Sequence, residues 1–168
     1  MNTTAFSNRL LVPAILAGLT LGSSQAQNDS PDDIVVIDDL MWSLETGGVS
    51  RWREANEFCE TLATGGFTDW RLPTLFELET LHDPDAPSSI RGPFELEDCC
   101  AWSSTNLEDL PAGRKGDLPE PGGPPNAYYW GFLFSGGISY YSNSGQIDGF
   151  AMCRRLPVTD HPPGAERR

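Results

Sequence analysis

"GGFTDWRLPTLFELETL", residues 65–81, decides how this chain is read, because half of it follows from helix chemistry alone. Thr74 precedes a leucine series and Glu77 stands three residues further on, which is the spacing of a capping box. Leu75, Leu78 and Leu81 recur at helical intervals and give a short helix one apolar face, and Asp83-Pro84 stops it. The preceding Asp69-Trp70-Arg71 is open on spacing alone. An acid, an aromatic and a base after two glycines serve equally well as a site loop or as a folding device.

Working outward, "SRWREANEFCETLATGG" (50–66) sets Trp52, Ala55, Cys59 and Leu62 on one face of a longer helix, with Ser50 as N-cap and Gly65 as stop. "DDIVVIDDLMWSL" (32–44) reads as two short strands around an Asp38-Asp39 turn. "SSIRGPFELEDCCAWSST" (88–105) is a loop leading to a strand at Trp102. "DLPAGRKGDLPEPGGPPN" (109–126) carries five prolines and four glycines in 18 residues and has no apolar period, so it is a long loop. "AYYWGFLF" and "ISYYS" are strand-forming runs joined through Ser135-Gly136-Gly137 as a hairpin, and "GFAMCRRL" is the final strand. Strands at both ends of the order bracket two consecutive helices, which argues for one α+β domain over residues 34–157. Residues 27–33 are expected to be a flexible N-terminus and 158–168 a disordered tail.

The first 26 residues carry Arg9, the apolar run "LLVPAILAGLTLG" and small residues at Ser24 and Ala26, the pattern of a secretory signal. The run is short and broken by Pro13 and glycines, so no stable membrane insertion is expected after cleavage. The expectation is an exported protein, periplasmic or secreted. Loss of Arg9 with that segment takes the net charge from −13 to −14 over the remaining 142 residues. Such a surface opposes nucleic acid, anionic lipid and sulfated polyanions. In an oxidising compartment Cys59, Cys99, Cys100 and Cys153 are candidates for disulfides, and four cysteines allow three pairings.

"LMWSL", "W-x-x-A-x-x-F-C-x-x-L", "GGFTDWRLPTLFEL", "AWSST", "WGFLFSGG" and "MCRRL" follow one another along residues 34–157. In that order they resemble the bacterial domain at the C-terminus of the Legionella collagen-like adhesin, long catalogued as a domain of unknown function. The resemblance implies a C-type-lectin-like fold, related also to the formylglycine-generating enzymes, with two helices and a mostly antiparallel twisted sheet. It implies that Asp69, Trp70, Arg71, Leu72, Pro73, Thr74 and Glu77 form a structural motif: Trp70 and Leu72 point into the core, and Asp69 and Arg71 tie backbone or each other. It also implies a disulfide between Cys59 on the first helix and Cys153 on the last strand, with Cys99 and Cys100 left as a vicinal pair, free, or linking two chains.

Catalytic signatures are absent: there is no G-x-S-x-G, H-E-x-x-H, P-loop or G-x-G-x-x-G. His82 at the end of the second helix and His161 in the tail have no evident partner, and Glu95 and Glu97 read as a solvated acidic face. The Glu-Pro-Asn or Gln-Pro-Asp and Trp-Asn-Asp motifs of calcium-dependent sugar binding are replaced by "PEPGGPPN" and "AWSST". No cofactor or metal is therefore expected, the one alternative being a calcium ion on loop oxygens near Glu108, Asp109, Asp117 and Glu120. The expectation is a non-enzymatic recognition module that takes a glycan or a protein through Tyr128, Tyr129, Trp130, Tyr140 and Tyr141. Strand alternation competes with that assignment, since it sends Tyr128, Trp130, Phe132 and Phe134 to one side. The alternatives are a structural envelope or interaction domain without a small ligand and, last, an enzyme. The adhesin is associated with sulfated glycosaminoglycan binding, which the acidic charge here argues against. The basic pairs are Arg114-Lys115, Arg154-Arg155 and Arg167-Arg168, with Arg51 and Arg53 flanking Trp52.

Overall fold

The computed structural model describes residues 33–94, 96, 100–109 and 120–156. The expected signal segment and tail lie outside these residues, as do Glu95, Glu97, Cys99, Arg114, Lys115, Asp117 and His161. Strands β1 (Ile34–Ile37) and β2 (Leu40–Ser43) form the expected hairpin. Asp38 and Asp39 turn it with positive φ values of 50° and 61°, as a two-residue turn matched to strand twist requires. Then come β3 (Gly47–Ser50), α1 (Trp52–Thr61), α2 (Leu75–Thr80), β4 (Cys100–Asn106), β5 (Tyr128–Leu133), β6 (Ile138–Asn143), β7 (Gly149–Ala151) and β8 (Arg154–Arg155). The protein is an α+β domain with two α-helices among the described residues.

The strands divide between two sheets, β1-β2-β8 and β3-β7-β4-β5-β6. All pairings are antiparallel except β4 with β7, which meet in parallel at Ala101 and Phe150. The final strand expected from "GFAMCRRL" is thus two strands, one in each sheet, separated by the buried Met152 and Cys153. Strand β3 had no sequence signal because it opens on two glycines. Gly47 is closely packed there, since a Cβ would lie 3.0 Å from the Ala151 Cβ and 3.1 Å from the Phe58 ring. Ser50 ends β3 and so does not cap α1. The N-cap is Arg51, whose backbone N–H donates to Glu54 Oε2 at 3.0 Å. Helix α1 closes at Thr61 with Leu62 as C-cap, before Gly65, which instead adopts φ 66° in the following 3-10 turn. For α2 the local chemistry suffices: Glu77 N–H donates to the Thr74 hydroxyl, and Thr74 N–H donates to the Glu77 carboxylate at 2.7 Å.

Two apolar clusters form. Leu75, Leu78 and Leu81 of α2 pack with Trp42, Trp130, Phe132, Phe134, Phe150 and Met152. Ala55, Cys59 and Leu62 of the α1 segment pack with Trp70, Leu72, Trp102 and Ala151. The second cluster contains the Cys59–Cys153 disulfide, which closes a sequence separation of 94 residues. Constraint of so long a loop contributes on the order of 4 kcal/mol by chain entropy. Cys100 is also disulfide-bonded.

The 69–77 segment is bound on every side. Trp70 and Leu72 are buried, and the Trp70 indole N–H donates to the Thr64 carbonyl at 3.1 Å. Arg71 pairs through its backbone with Arg154, each N–H donating to the other's carbonyl at 3.0 Å. Ser104 N–H donates to Pro73 O, and Leu75 N–H donates to the Thr105 hydroxyl. The Asp69 carboxylate does not meet Arg71. It holds Arg155 through two hydrogen bonds of 2.7 and 3.2 Å.

Candidate functional site

The five candidate aromatics of β5 and β6 lie on two opposite faces. Trp130 is 1% exposed and sits in the α2 cluster, where Tyr128 and Tyr141 pack around it. Tyr141 makes edge contacts with both Trp130 and Tyr128. These three side chains complete a core, as the strand alternation demands. Tyr140 crosses Gly131 on the other face, where a Cβ would approach its ring to 2.6 Å, so only glycine fits opposite it. The Tyr140 hydroxyl donates to the Asp148 carbonyl at 3.3 Å. Burial, and then the charge of Asp148, push that phenol above its usual range.

Tyr129, also on that second face, leads to the solvent-facing site. Its ring stacks on Trp52 of α1 with centroids 3.7 Å apart and planes inclined by 15°. Both are half-buried, and Trp52 is oriented by its indole N–H, which donates to Ser103 O at 2.8 Å. Around this stack lies a cleft of about 370 Å³ lined by Arg51, Arg53, Glu54, Asn126, Ser144 and Gly145. Arg51 braces one wall: its Nε donates to Gly145 O at 3.1 Å and its Nη1 donates to Glu54. The Arg51 backbone N–H, followed by its guanidinium, holds the Glu54 carboxyl below its ordinary range, so the cleft presents a carboxylate. The Asn126 amide and the Ser144 hydroxyl form no hydrogen bond within the described residues. Arg53 reaches only Glu57, at 3.9 Å, and is largely exposed.

Sequence reasoning assigned Tyr129 to binding but placed Trp52 on the packed face of its helix. Asn126, Ser144 and Gly145 carried no signal, because turns from distant parts of the chain bring them to α1. The usable cue was an aromatic at the start of a helix with an arginine on each side.

The other candidate groups lie elsewhere. Arg154 and Arg155, the basic pair of the last strand, are 7% and 6% exposed and each holds a carboxylate. Arg154 meets Glu77 at 2.7 Å, and burial lowers its pKa against the opposing pull of that carboxylate. Arg155 meets Asp69 and also lies 3.8 Å over the Phe67 ring. His82, half-buried, packs edge-on against Phe132 beneath Gly137. Asp109 accepts the Asn106 backbone N–H, and among the described residues no group of three or more His, Cys, Asp or Glu is placed to hold a metal.

The α+β domain thus carries a disulfide from α1 to the β7–β8 connection and an aromatic cleft beside its first helix. Residues 36–154, over two thirds of the chain, match the Lcl C-terminal domain, and the chain belongs to that family. This is the family anticipated from the order of the motifs. No curated protein matches the chain.

Proposed function

We propose that this protein is an exported, non-enzymatic recognition module that binds a saccharide in the cleft between α1 and the β6–β7 turn. The observation that carries the reading is the Trp52–Tyr129 stack at the cleft, bordered by an amide, a hydroxyl and a carboxylate. Aromatic carbon offers an apolar surface to the C–H face of a sugar ring, and converging donors and acceptors suit its hydroxyls. Polar groups with no partner among the described residues keep their hydrogen-bonding capacity for a ligand. The site works without calcium, and its place of action is the cell envelope or the exterior.

A glycan array probed with the oxidised protein, with and without calcium, tests this. Expected are saccharide hits unaffected by chelator and accompanied by a change in tryptophan fluorescence. Asn126→Ala with Ser144→Ala should abolish them without moving the melting temperature by more than about 2 °C. Hits that survive that double replacement would place binding elsewhere.

A further inference from the structure

The described residues contain six arginines and no lysine. Three are spent on tight carboxylate pairs: Arg91 with Asp38, Arg154 with Glu77 and Arg155 with Asp69. Arg71 projects from the 69–77 connector. The remaining two, Arg51 and Arg53, both line the aromatic cleft. In a chain of net charge −13, two of the three described arginines outside those tight pairs therefore stand together at the Trp52–Tyr129 stack. Arg51 is partly neutralised by Glu54, whereas Arg53 keeps only a distant contact with Glu57.

Resting on the saccharide reading above, we propose that the cleft selects a sugar unit bearing a single carboxylate, such as a uronic acid or a nine-carbon keto-sugar acid. Its ring lies on Trp52 and Tyr129, its hydroxyls meet Asn126 and Ser144, and its carboxylate meets Arg53. A guanidinium matches a carboxylate with two parallel hydrogen bonds, which a neutral sugar cannot accept. The charge balance sets the number of acid groups. Two guanidinium groups against Glu54 leave one net positive charge in the cleft, so one carboxylate neutralises it. Further acid groups on a repeating chain would extend over an acidic surface and be repelled.

Two matched pairs of small ligands separate this inference from the reading beneath it: methyl glucuronide against methyl glucoside, and sialyllactose against lactose. Titrated into the oxidised protein at moderate salt, the acid member of at least one pair should bind about tenfold tighter, the worth of one charge-assisted contact. Arg53→Gln should erase that preference. Equal affinity within both pairs overturns the acid-sugar inference and leaves the saccharide reading standing. Absence of binding by all four, together with an empty array, overturns both. A preference that persists in Arg53→Gln overturns the role of that arginine, and tighter binding of a peptide α-carboxylate than of either acid sugar overturns the ligand class.

Discussion

"CRRL" at the end of the domain and "SRWRE" at the start of α1 offer the same chemistry, two arginines beside a packed residue, and the fold uses them in opposite ways. Arg154 and Arg155 lie in β8 and are held by Glu77 and Asp69, 77 and 86 residues away in sequence. Arg51 and Arg53 stay at the surface around Trp52 and face a cleft. What separates them is whether another segment delivers a carboxylate and removes water. A buried guanidinium must be matched, so the 69–77 connector with its two acids and the β8 strand specify one another. An exposed guanidinium need not be matched and remains available. Tryptophans divide in the same way, with Trp70 bonded to Thr64 O inside the core and Trp52 forming the floor of an open site.

The largest effect that distinguishes the regions should come from Glu77→Ala. This one side chain caps α2 and neutralises Arg154, so its loss leaves a guanidinium buried without a countercharge as well as an uncapped helix. Broken buried pairs and lost caps together amount to about 5 kcal/mol. Urea melts should show most or all of the domain's stability gone.

Trp70→Ala comes next, at roughly 3–5 kcal/mol for a buried tryptophan whose indole N–H is also bonded. Saccharide affinity measured well below the new midpoint should be unchanged. Unaltered stability with lost binding would move the "DWRLPT" segment from the structural side of the comparison to the functional one.

The contrast also explains what could be read from the sequence. The capping box of Thr74 and Glu77, the Asp38-Asp39 hairpin and the Ser135-Gly136-Gly137 turn are set by neighbours within four residues, and each formed as expected. The split of "GFAMCRRL" between two sheets depends on pairing with β3 and β4 on one side and β2 on the other, which no local pattern encodes. The Cys59–Cys153 link was accessible only through the family resemblance. For the site, alternation correctly separated Trp130 from Tyr129, but the cleft itself is a non-local product. Residues 51–54, 126, 129 and 144–145 carry no shared motif.

Asp69→Asn should have a smaller effect. The Asp69 carboxylate is held below its ordinary range chiefly by the Arg155 hydrogen bonds, but it is 61% exposed and screened by solvent, so about 1 kcal/mol is the ceiling. A depressed folded-state pKa stabilises above the unfolded value near 3.9 and loses that contribution as pH falls through the folded one. Wild-type stability should therefore carry an acid limb below about pH 4 that is shallower in Asp69→Asn. Identical acid limbs would mean that Arg155 is neutralised by something other than this carboxylate.

The smallest expected response is none at all, to immobilised heparin at physiological salt. Sulfated chains bind through clusters of accessible cations, and the comparison removes Arg154 and Arg155 from that inventory, since both are buried and paired. Arg51 and Arg53 remain, yet Glu54 and Glu57 on the same helix stand beside them, and the chain as a whole carries −13. At 0.15 M salt, screening over about 8 Å leaves a polyanion interacting mainly with its immediate surroundings. Here those surroundings carry a single net positive charge at the cleft lining, with Glu57 close beside Arg53. Retention that vanishes when Arg114 and Lys115 are replaced would show that the Pro/Gly-rich segment supplies the missing cations. Retention abolished by Arg53→Gln instead would show that the cleft accepts sulfated chains, and the distinction between one carboxylate and many charges would fall with it.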